Sequence, residues 1–395
     1  MKAMAQVPDL ALDIFPGLFP TGGIGRYVRD LCAALRTLPG GPTYRFAHTS
    51  NLRHLALARY RPDELMELPV NGLVMRAACL ATVPFGLPLD SLYGPSKLFH
   101  SPLGDGPLRS NARLISHVHD LTFLQHPEWH PLRTRFFLSA TVPGAARRAD
   151  RVICHSEWVK AEVVRGIGVR PERITVIPPP VGHDFHPVPP AVARAHVAWR
   201  FGLAAEYFLH VGTVEPRKNH VRLFEAFEKL RREGFPGPLV LVGKNGWGIE
   251  PVLSRLESSS ERANIVRVSD ASEEDLVALY GAATAVAFPS LEEGFGMPIL
   301  EAMACGVPCV TGDRTGMADL GAGFAELVTP ESVDQIVEAL RRIWRDGTFR
   351  ERAAAEGPVR AAEYTLERWA AKTFALYRSE LATAEAGTPA PVVRA

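Results

Sequence analysis

The chain has 395 residues, of which 47% are hydrophobic and 22% are charged, and its net charge is +1. This length suits two domains of ordinary size, and the composition is that of a globular protein. A charge so close to zero, without a motif of aromatic and basic residues, argues against nucleic-acid binding. The first residues lack a signal-peptide core, and no apolar run reaches the roughly 18 residues that span a bilayer. We therefore expect a cytoplasmic protein with two lobes and a cleft.

The two halves of the chain differ in charge. Residues 1–190 contain 21 basic and 15 acidic side chains, whereas residues 191–395 contain 23 and 28. A basic first lobe suits an anionic partner, so a peripheral contact with the inner face of a membrane is one interpretation. An unevenly solvated surface is the alternative. Five arginines of this half carry the same two interpretations: Arg133, Arg135, Arg147, Arg148 and Arg151.

Five cysteines are scattered through the sequence, at positions 32, 79, 154, 305 and 309. An odd number without regular spacing is typical of free buried thiols rather than of a disulfide framework. Cys305 and Cys309 would supply only half of a metal site, and no second pair accompanies them. We predict free thiols and no metal at these residues.

Short runs of β-branched residues alternate with helical periodicity along the chain, which predicts an α/β fold with parallel sheets. In the first half, "GGIGRY" follows the first strand, "ARLISHVHDL" is predicted as a strand and loop, and "DRVICHSEWVKAEVVR" as a strand, turn and helix. Six prolines between positions 178 and 190 then indicate a stiff linker. We place the domain boundary there, with domains at 1–185 and 186–358.

The second half contains five strand candidates, in "EYFLHVGTV", "PLVLVGKNGWG", "ANIVRVSD", "TAVAFPS" and "VPCVTGD". Residues 382–395 lack periodicity, which predicts a flexible tail. Ligands of open parallel sheets collect beyond the carboxyl ends of the strands. The candidate site is therefore expected in the loops that follow the strands.

One such loop precedes "MPILEAMAC". Pro298 suits the first turn of a helix and Gly306 suits its left-handed C-terminal cap, which predicts a helix over 297–305. The backbone N–H groups of the preceding "GFG" turn and the positive helix end form a site suited to phosphate. Glu301 would then bind a ribose diol, and Glu293 would meet hydroxyl groups of a further sugar. The alternative is that both glutamates are ordinary surface charges.

Arg217 and Lys218 stand side by side in "GTVEPRKNH", directly after another strand candidate. Arginine offers a fork of donors and lysine a mobile point charge, a pair that suits a diphosphate. Exposed loop cations are the alternative interpretation. The anion-binding helix start in the same lobe favours the diphosphate site.

These motifs together resemble those of the retaining glycosyltransferases of family 4. The resemblance rests on "GGIGRY", "HDLTFL", "GTVEPRKN" and "EEGFGMPILEAMACGVPCV", which keep the family's order and spacing from about residue 20 to residue 345. It implies the GT-B fold, in which two Rossmann-like parallel-sheet domains face a cleft. The second domain would bind the nucleotide-sugar and the first mostly the acceptor, while helix 359–380 would cross back to the first domain.

Matching positions carry the family's donor-site roles to this chain. Arg217 and Lys218 resemble its diphosphate-binding pair. Glu301 resembles the ribose-binding glutamate, and Glu293 the glutamate that contacts the donor sugar. Further residues are implied to touch the donor from the glycine loops and the helix start: Gly22, Gly23, Gly212, Gly243, Lys244, Gly294, Phe295, Gly296, Met297 and Pro298.

The "HVHD" sequence places His117 and His119 on one face of a strand, with Asp120 beyond them. By the same resemblance, His119 and Asp120 contact the donor sugar and the acceptor. A structural histidine and a His–His–Asp metal site are the alternatives. We predict no metal at this position.

The resemblance also implies transfer with retention of the anomeric configuration. Cations and a helix dipole can stabilise the leaving diphosphate in place of a metal ion, and the chain has no Asp-x-Asp triplet. We therefore expect no cofactor and no required divalent ion. In the commonly invoked scheme the leaving phosphate takes the acceptor's proton and no enzyme nucleophile is needed. A double displacement through Glu293 is the alternative.

The predicted reaction moves a hexose from a nucleotide diphosphate sugar to a hydroxyl of a saccharide or lipid-linked saccharide. GDP-mannose is the favoured donor, because the "GIGRY" start resembles that of mannosyltransferases, and a UDP-sugar is the next choice. Two alternatives are a nucleotide-sugar epimerase of the same fold and a non-catalytic nucleotide-sugar-binding partner.

Overall fold

The structure is a computed structural model that describes residues 7–19, 23–92, 95–182, 184–203 and 206–386. The chain divides into two compact units. The first unit comprises Met1–Gln125, Leu132–Pro179 and Leu366–Ala395. The second unit comprises His126–Pro131 and Pro180–Thr365. Each unit is built on its own parallel sheet, which confirms the predicted α/β class with two Rossmann-like domains.

The first unit has seven strands: β1 (Leu10–Asp13), β2 (Tyr44–Thr49), β3 (Leu65–Leu68), β4 (Leu98–Ser101), β5 (Arg113–Val118), β6 (Arg151–Cys154) and β7 (Ile174–Val176). They form one parallel sheet in the order β3-β2-β1-β4-β5-β6-β7. Its first six helices are α1 (Gly23–Thr37), α2 (Arg53–Leu57), α3 (Gly72–Thr82), α4 (Thr122–Gln125), α5 (Leu132–Arg148) and α6 (Glu157–Ile167). This order reverses direction between β1 and β4, as in doubly wound sheets, so the loops after the strands share one edge.

The second unit has six strands: β8 (Phe208–Val211), β9 (Leu239–Val242), β10 (Ile265–Val268), β11 (Ala285–Phe288), β12 (Cys309–Gly312) and β13 (Glu326–Val328). They are parallel in the order β10-β9-β8-β11-β12-β13. All four residues of β9 and of β11 are buried, as expected for strands of a parallel sheet that is covered on both faces. The five predicted strands are confirmed. The sixth, β13, escaped prediction because it has only three residues, of which two are not fully buried.

Helices of the second unit cover this sheet: α7 (Pro190–Phe201), α8 (His220–Arg232), α9 (Glu250–Glu257), α10 (Glu273–Ala282), α11 (Met297–Cys305), α12 (Thr315–Gly321), α13 (Val333–Arg345) and α14 (Gly347–Ala361). Helix α11 has the predicted bounds. It begins after Gly296 and ends before Gly306, whose φ of 69° is the left-handed cap that was expected.

The last helix, α15 (Leu366–Glu385), belongs to the first unit. Its buried face carries Trp369, Phe374 and Tyr377, which pack in the cluster that also contains residues of α1 and β1. The predicted helix over 359–380 is therefore two helices in the structure. Helix α14 ends at Ala361, and extended backbone at Thr365 (φ −73°, ψ 158°) separates it from α15.

Two predicted boundaries differ from those of the structure. The units divide at Pro179 and Pro180 rather than at 185 and 186, because Phe185 packs against Tyr280 in the core of the second unit, with ring centroids 5.8 Å apart. The tail predicted from residue 382 is helical as far as Glu385, which pairs with Lys97 at 2.9 Å.

Two predictions made from composition can be compared with the described residues. All five cysteines are buried and free, which confirms the thiol prediction. Among the described helices, none is both long enough and apolar enough to cross a bilayer.

Candidate functional site

Arg217 and Lys218 lie in a turn that hydrogen bonds from Asn219 hold in place. Pro216–Lys218 form one 3-10 turn after β8, and Asn219 follows with φ 61°. The Asn219 side-chain amide donates to the carbonyl oxygens of Pro289, at 2.9 Å, and Pro330, at 2.7 Å. The sequence analysis missed this anchor. Its signal was an asparagine, a residue that tolerates positive φ, directly before a helix.

Arg217 and Lys218 both bind the carboxylate of Glu293. The Arg217 Nη1 atom lies 2.6 Å from Oε2 of Glu293, and the Lys218 Nζ atom lies 2.5 Å from Oε1. Arg217 also pairs through Nε with Glu215, at 2.6 Å. The structure thus brings together three residues that the sequence predicted, and it adds Glu215, which the sequence analysis did not single out.

Burial and charge set the protonation of this cluster. Burial alone would raise the pKa of Glu293, but the charges of Arg217 and Lys218 outweigh it and lower the pKa to about 2. Burial lowers the pKa of Lys218, and Glu293 opposes that shift. The Lys218 ammonium also lies 4.8 Å from the centre of the Phe288 ring, a cation–π contact. The cluster therefore holds a fixed carboxylate between two cations.

Two glycine loops meet next to this cluster. Gly212 follows β8 with φ 153°, and Gly243 follows β9 with φ 148°. A Cβ atom on Gly243 would lie 2.1 Å from the Gly212 carbonyl oxygen, so the close approach of the two loops requires glycine. Lys244 is exposed and lines a cavity of about 540 Å³ with Asn245, Arg267 and Ser269.

The turn before α11 is equally constrained. Gly296 has φ 106° and is the residue before the helix, while Pro298 stands in the first turn. A Cβ atom on Gly316 would lie 2.3 Å from the carbonyl oxygen of Gly294, so α12 packs closely on this turn. The first N–H groups of a helix have no acceptor within that helix, so the start of α11 at Met297 can bind an anion. Phe295 is buried within the turn.

Glu301 is buried on α11 and has a partner that the sequence analysis missed. The Tyr280 hydroxyl of α10 donates to its Oε2 atom at 2.7 Å. This bond fixes the orientation of the Glu301 carboxylate. No local sequence signal connects residues 280 and 301, because the contact depends on the packing of α10 against α11.

The predicted residues of the first unit have mainly structural partners. His119 uses both ring nitrogens: Nδ1 lies 2.9 Å from His155 Nε2, and Nε2 lies 2.7 Å from the Pro102 carbonyl oxygen. Asp120 accepts hydrogen bonds from the backbone and side chain of Thr122 at the start of α4. Gly23 begins α1, whereas Gly22 lies outside the described residues.

Two family models match this chain. One, described as Glycosyl transferases group 1, matches residues 195–360, and the other, described as Glycosyltransferase Family 4, matches residues 92–185. The match to residues 195–360 begins after the proline-rich segment, whereas the match to residues 92–185 ends within it.

Curated proteins and solved structures agree with these models. The O-antigen chain mannosyltransferase B of Escherichia coli is 29% identical over 287 residues, which are 71% of this chain and 74% of that protein. The D-inositol 3-phosphate glycosyltransferase of Frankia alni is 34% identical over 251 residues, and the chain spans 60% of its length. HepE of Anabaena, solved in complex with UDP and glucose, has the same fold, with a TM-score of 0.70 and 19% identity over 93% of this chain and 98% of that one. The chain therefore belongs to family 4 of the glycosyltransferases and is a glycosyltransferase of the GT-B fold.

Proposed function

We propose that this glycosyltransferase moves a hexose from a nucleotide diphosphate sugar to a hydroxyl of a saccharide or lipid-linked saccharide, with retention and without a divalent metal. The observation that carries the proposal is that Arg217 and Lys218 both form ion pairs with the Glu293 carboxylate, in the same unit as the start of α11. The two cations already bind one anionic group, the Glu293 carboxylate, so an anionic ligand such as a diphosphate suits them.

The chemistry follows from the charges. As the sugar leaves, negative charge grows on the diphosphate, and preorganised cations and helix N–H groups stabilise it by about 3 kcal/mol for each good donor. Glu293, with a pKa of about 2, is a carboxylate at neutral pH and cannot serve as an acid. Its role in this proposal is to orient hydroxyls of the donor sugar, while the leaving phosphate takes the acceptor's proton.

GDP-mannose is the proposed donor, and a UDP-sugar is the second choice. The name of the Escherichia coli relative supports a mannose donor, and the HepE structure holds UDP and glucose. The cavity beside Lys244 and Arg267 lies in the loops after β9 and β10. We assign it to the nucleobase, because β9 lies next to β8, the strand that precedes the Arg217–Lys218 turn, and β10 lies beyond β9.

A peripheral membrane contact is the proposed route to a lipid-linked acceptor, at the inner face of the membrane. Phe85, Leu132 and Phe136 of the first unit are 75%, 79% and 67% exposed. Arg147 and Arg148 line a groove of about 630 Å³ in the same unit, together with Pro84. Exposed apolar side chains with basic neighbours suit an anionic lipid surface. Sedimentation with anionic and neutral vesicles tests this, and equal binding to both would contradict it.

Thermal unfolding with UDP, GDP, ADP and CMP, each with and without EDTA, tests the donor site. A nucleotide at about 100 times its Kd should stabilise the protein by roughly 2.7 kcal/mol. We expect one nucleotide to do so, insensitively to EDTA, and to lose effect in Glu301→Ala. Product analysis with the matching nucleotide-sugar then separates transfer from epimerisation, which the family assignment disfavours. Stabilisation by none of the four would contradict the assigned site.

A further inference from the structure

Three imidazoles lie together on one face of the first unit's sheet. His117 and His119 alternate at the end of β5, and His155 follows β6, the neighbouring strand, in which Cys154 pairs with Val118. The ring centroids are 4.3 Å apart for His117 and His119, 4.4 Å for His117 and His155, and 4.9 Å for His119 and His155. One ring nitrogen from each histidine lies within 4.8 Å of the other two. We call these three residues the histidine cluster.

Hydrogen bonding fixes the proton of His119. Its Nε2 atom lies 2.7 Å from the Pro102 carbonyl oxygen, which can only accept, so Nε2 carries the proton in the neutral ring. Its Nδ1 atom is then a bare acceptor that faces His155 Nε2 at 2.9 Å. A histidine whose outer N–H donates to a backbone carbonyl while its inner nitrogen is bare has the arrangement of a metal ligand.

His155 can adopt the same arrangement. Its Nδ1 atom lies 3.4 Å from the Ile177 carbonyl oxygen. With the proton on Nε2, the ring donates to His119, whereas with the proton on Nδ1 it faces Ile177 and leaves two bare nitrogens opposite each other. The second state is favourable only when a cation lies between those nitrogens. The cluster can therefore change from a hydrogen-bonded pair to a pair of ligands by moving one proton.

His117 gives independent evidence for a bound water or ion. It is fully buried, and neither of its ring nitrogens has a hydrogen-bond partner among the described residues. The hydroxyl of Tyr27 is also buried without a hydrogen-bond partner among the described residues, and the Tyr27 ring centre lies 4.8 Å from that of His117. Buried polar groups without partners are rare and call for a bound water or ion.

The protonation of the rings suits a cation. Burial lowers the pKa of His155 to about 3, and burial also lowers the pKa of His117 and of His119. The neutral ring is the form that binds metal, so no bulk proton must be removed near neutral pH. His119 is partly exposed, whereas the other two rings are buried, so an ion would enter past His119.

We propose that His117, His119 and His155 bind one divalent transition-metal ion of the zinc class. Imidazole ligands suit zinc, cobalt, nickel and copper. Tetrahedral zinc with Zn–N bonds of about 2.0–2.1 Å places its nitrogens roughly 3.3 Å apart, between the observed 2.9 Å and the 4.8 Å limit. The His117 and His119 rings are stacked with 9° between their planes, so these rings must rotate to aim one nitrogen each at a common ion. The ion would join the ends of β5 and β6 and hold the His119 ring, independently of the transfer reaction.

This proposal departs from the sequence-based prediction of no metal at His117 and His119, and the site differs from the His–His–Asp alternative that the sequence raised. Asp120 is engaged with Thr122 and is not part of the cluster. The third ligand comes from a neighbouring strand, 36 residues further along the chain. Its position depends on the register of β5 and β6, which the sequence does not show.

A titration of the EDTA-treated, desalted protein with Co²⁺ tests the proposal, because tetrahedral Co²⁺ with nitrogen ligands absorbs visible light. We expect one equivalent of Co²⁺ to bind, Zn²⁺ to displace it, and each of His117→Asn and His155→Asn to weaken binding at least 100-fold. The matched control is His100→Asn, a buried histidine whose ring lies 6.2 Å from that of His117 and whose Nδ1 pairs with Tyr377. This control should retain Co²⁺ affinity within about threefold.

Circular dichroism establishes that each variant is folded. Stabilisation by nucleotide measures the proposed donor site of the second unit separately. An exposed-residue control, His54→Asn, covers the case in which His100→Asn is unstable. A folded wild type that binds no stoichiometric Co²⁺ would show that the cluster holds water only, and the proposal would be wrong. Equal loss of binding in His100→Asn and His155→Asn, or unchanged binding in both ligand variants, would also overturn it.

Discussion

Titratable side chains are buried at the carboxyl edges of both sheets, but they are charged in one unit and neutral in the other. In the second unit, Glu293, Arg217 and Lys218 keep their charges and neutralise one another by direct pairing. In the first unit, the histidine cluster is uncharged, because burial lowers the pKa of its rings. Paired charges can exchange one anion for another, whereas neutral bases can accept a cation. The comparison predicts an anion site in one unit and a cation site in the other.

Asp13 extends the comparison to a carboxylate. It ends β1 in the first unit, and burial, together with the nearby charge of Asp105, raises its pKa to about 7. Glu293 is held at about 2 by two cations. Two carboxyl groups at strand-end loops thus differ by about five pKa units, because one has buried cations as partners and the other has none of comparable effect.

Removing the negative charge of Glu293 should have the largest effect on the stability of the second unit. Glu293→Gln leaves two cations with one buried partner fewer, and we expect the free energy of unfolding to fall by about 3–5 kcal/mol. A nucleoside diphosphate should restore more stability to this variant than to the wild type, since it replaces the lost anion. Urea unfolding with and without GDP or UDP measures both effects.

The control for that variant is Glu331→Gln, which removes the exposed partner of Arg314 and should cost less than about 1 kcal/mol. If Glu293→Gln were no less stable than this control, the charge pairing would not govern the site.

Lys218→Ala tests the cation side of the same pair. It should lower kcat by about 100- to 1000-fold, because one preorganised donor to the leaving diphosphate is lost. Lys229→Ala, which removes an exposed lysine paired with Asp334, is the matched control and should keep full activity. A transfer assay at saturating nucleotide-sugar measures both, and similar rates for the two variants would remove Lys218 from the proposed mechanism.

The sequence predicted those features that depend on local periodicity or on motif spacing. The helix over 297–305, five strands of the second sheet and the meeting of Arg217 with Lys218 in one turn are of this kind. The missed features join residues that are distant in the chain. Tyr280 meets Glu301 because α10 packs against α11, and His155 meets His119 because β5 pairs with β6. A pattern read along the chain does not contain strand register or helix packing, so these partners required the structure.

Asp13 offers a test of the first unit's preference for neutral groups. Its raised pKa means that the folded state holds a proton between about pH 4 and pH 7 that the unfolded state releases. Stability from this group is therefore present at low pH and is lost as the pH rises, by roughly 2–3 kcal/mol between pH 5 and pH 8.

Asp13→Asn removes the titration but keeps an oxygen that can accept from the Phe15 backbone N–H, which lies 2.9 Å from Asp13 Oδ1. We expect the difference in unfolding free energy between wild type and variant to grow in the variant's favour as the pH rises. Urea unfolding at pH 5, 6, 7 and 8 measures it. A difference that is constant across this range would show that Asp13 is charged in the folded state.

The smallest expected effect concerns the bond that holds Glu301. Tyr280→Phe removes the donor to Oε2 and should weaken nucleoside diphosphate binding by about tenfold, since a hydrogen bond to a charged group contributes about 1.5 kcal/mol or more. Tyr207→Phe is the matched control, because its buried hydroxyl donates at 2.7 Å to the carbonyl oxygen of Leu279 in the same unit. Both variants should lose similar stability, but only Tyr280→Phe should raise the Kd measured by calorimetry. If Tyr207→Phe raised the Kd equally, Glu301 would owe its position to the packing of α10 as a whole rather than to the Tyr280 hydroxyl.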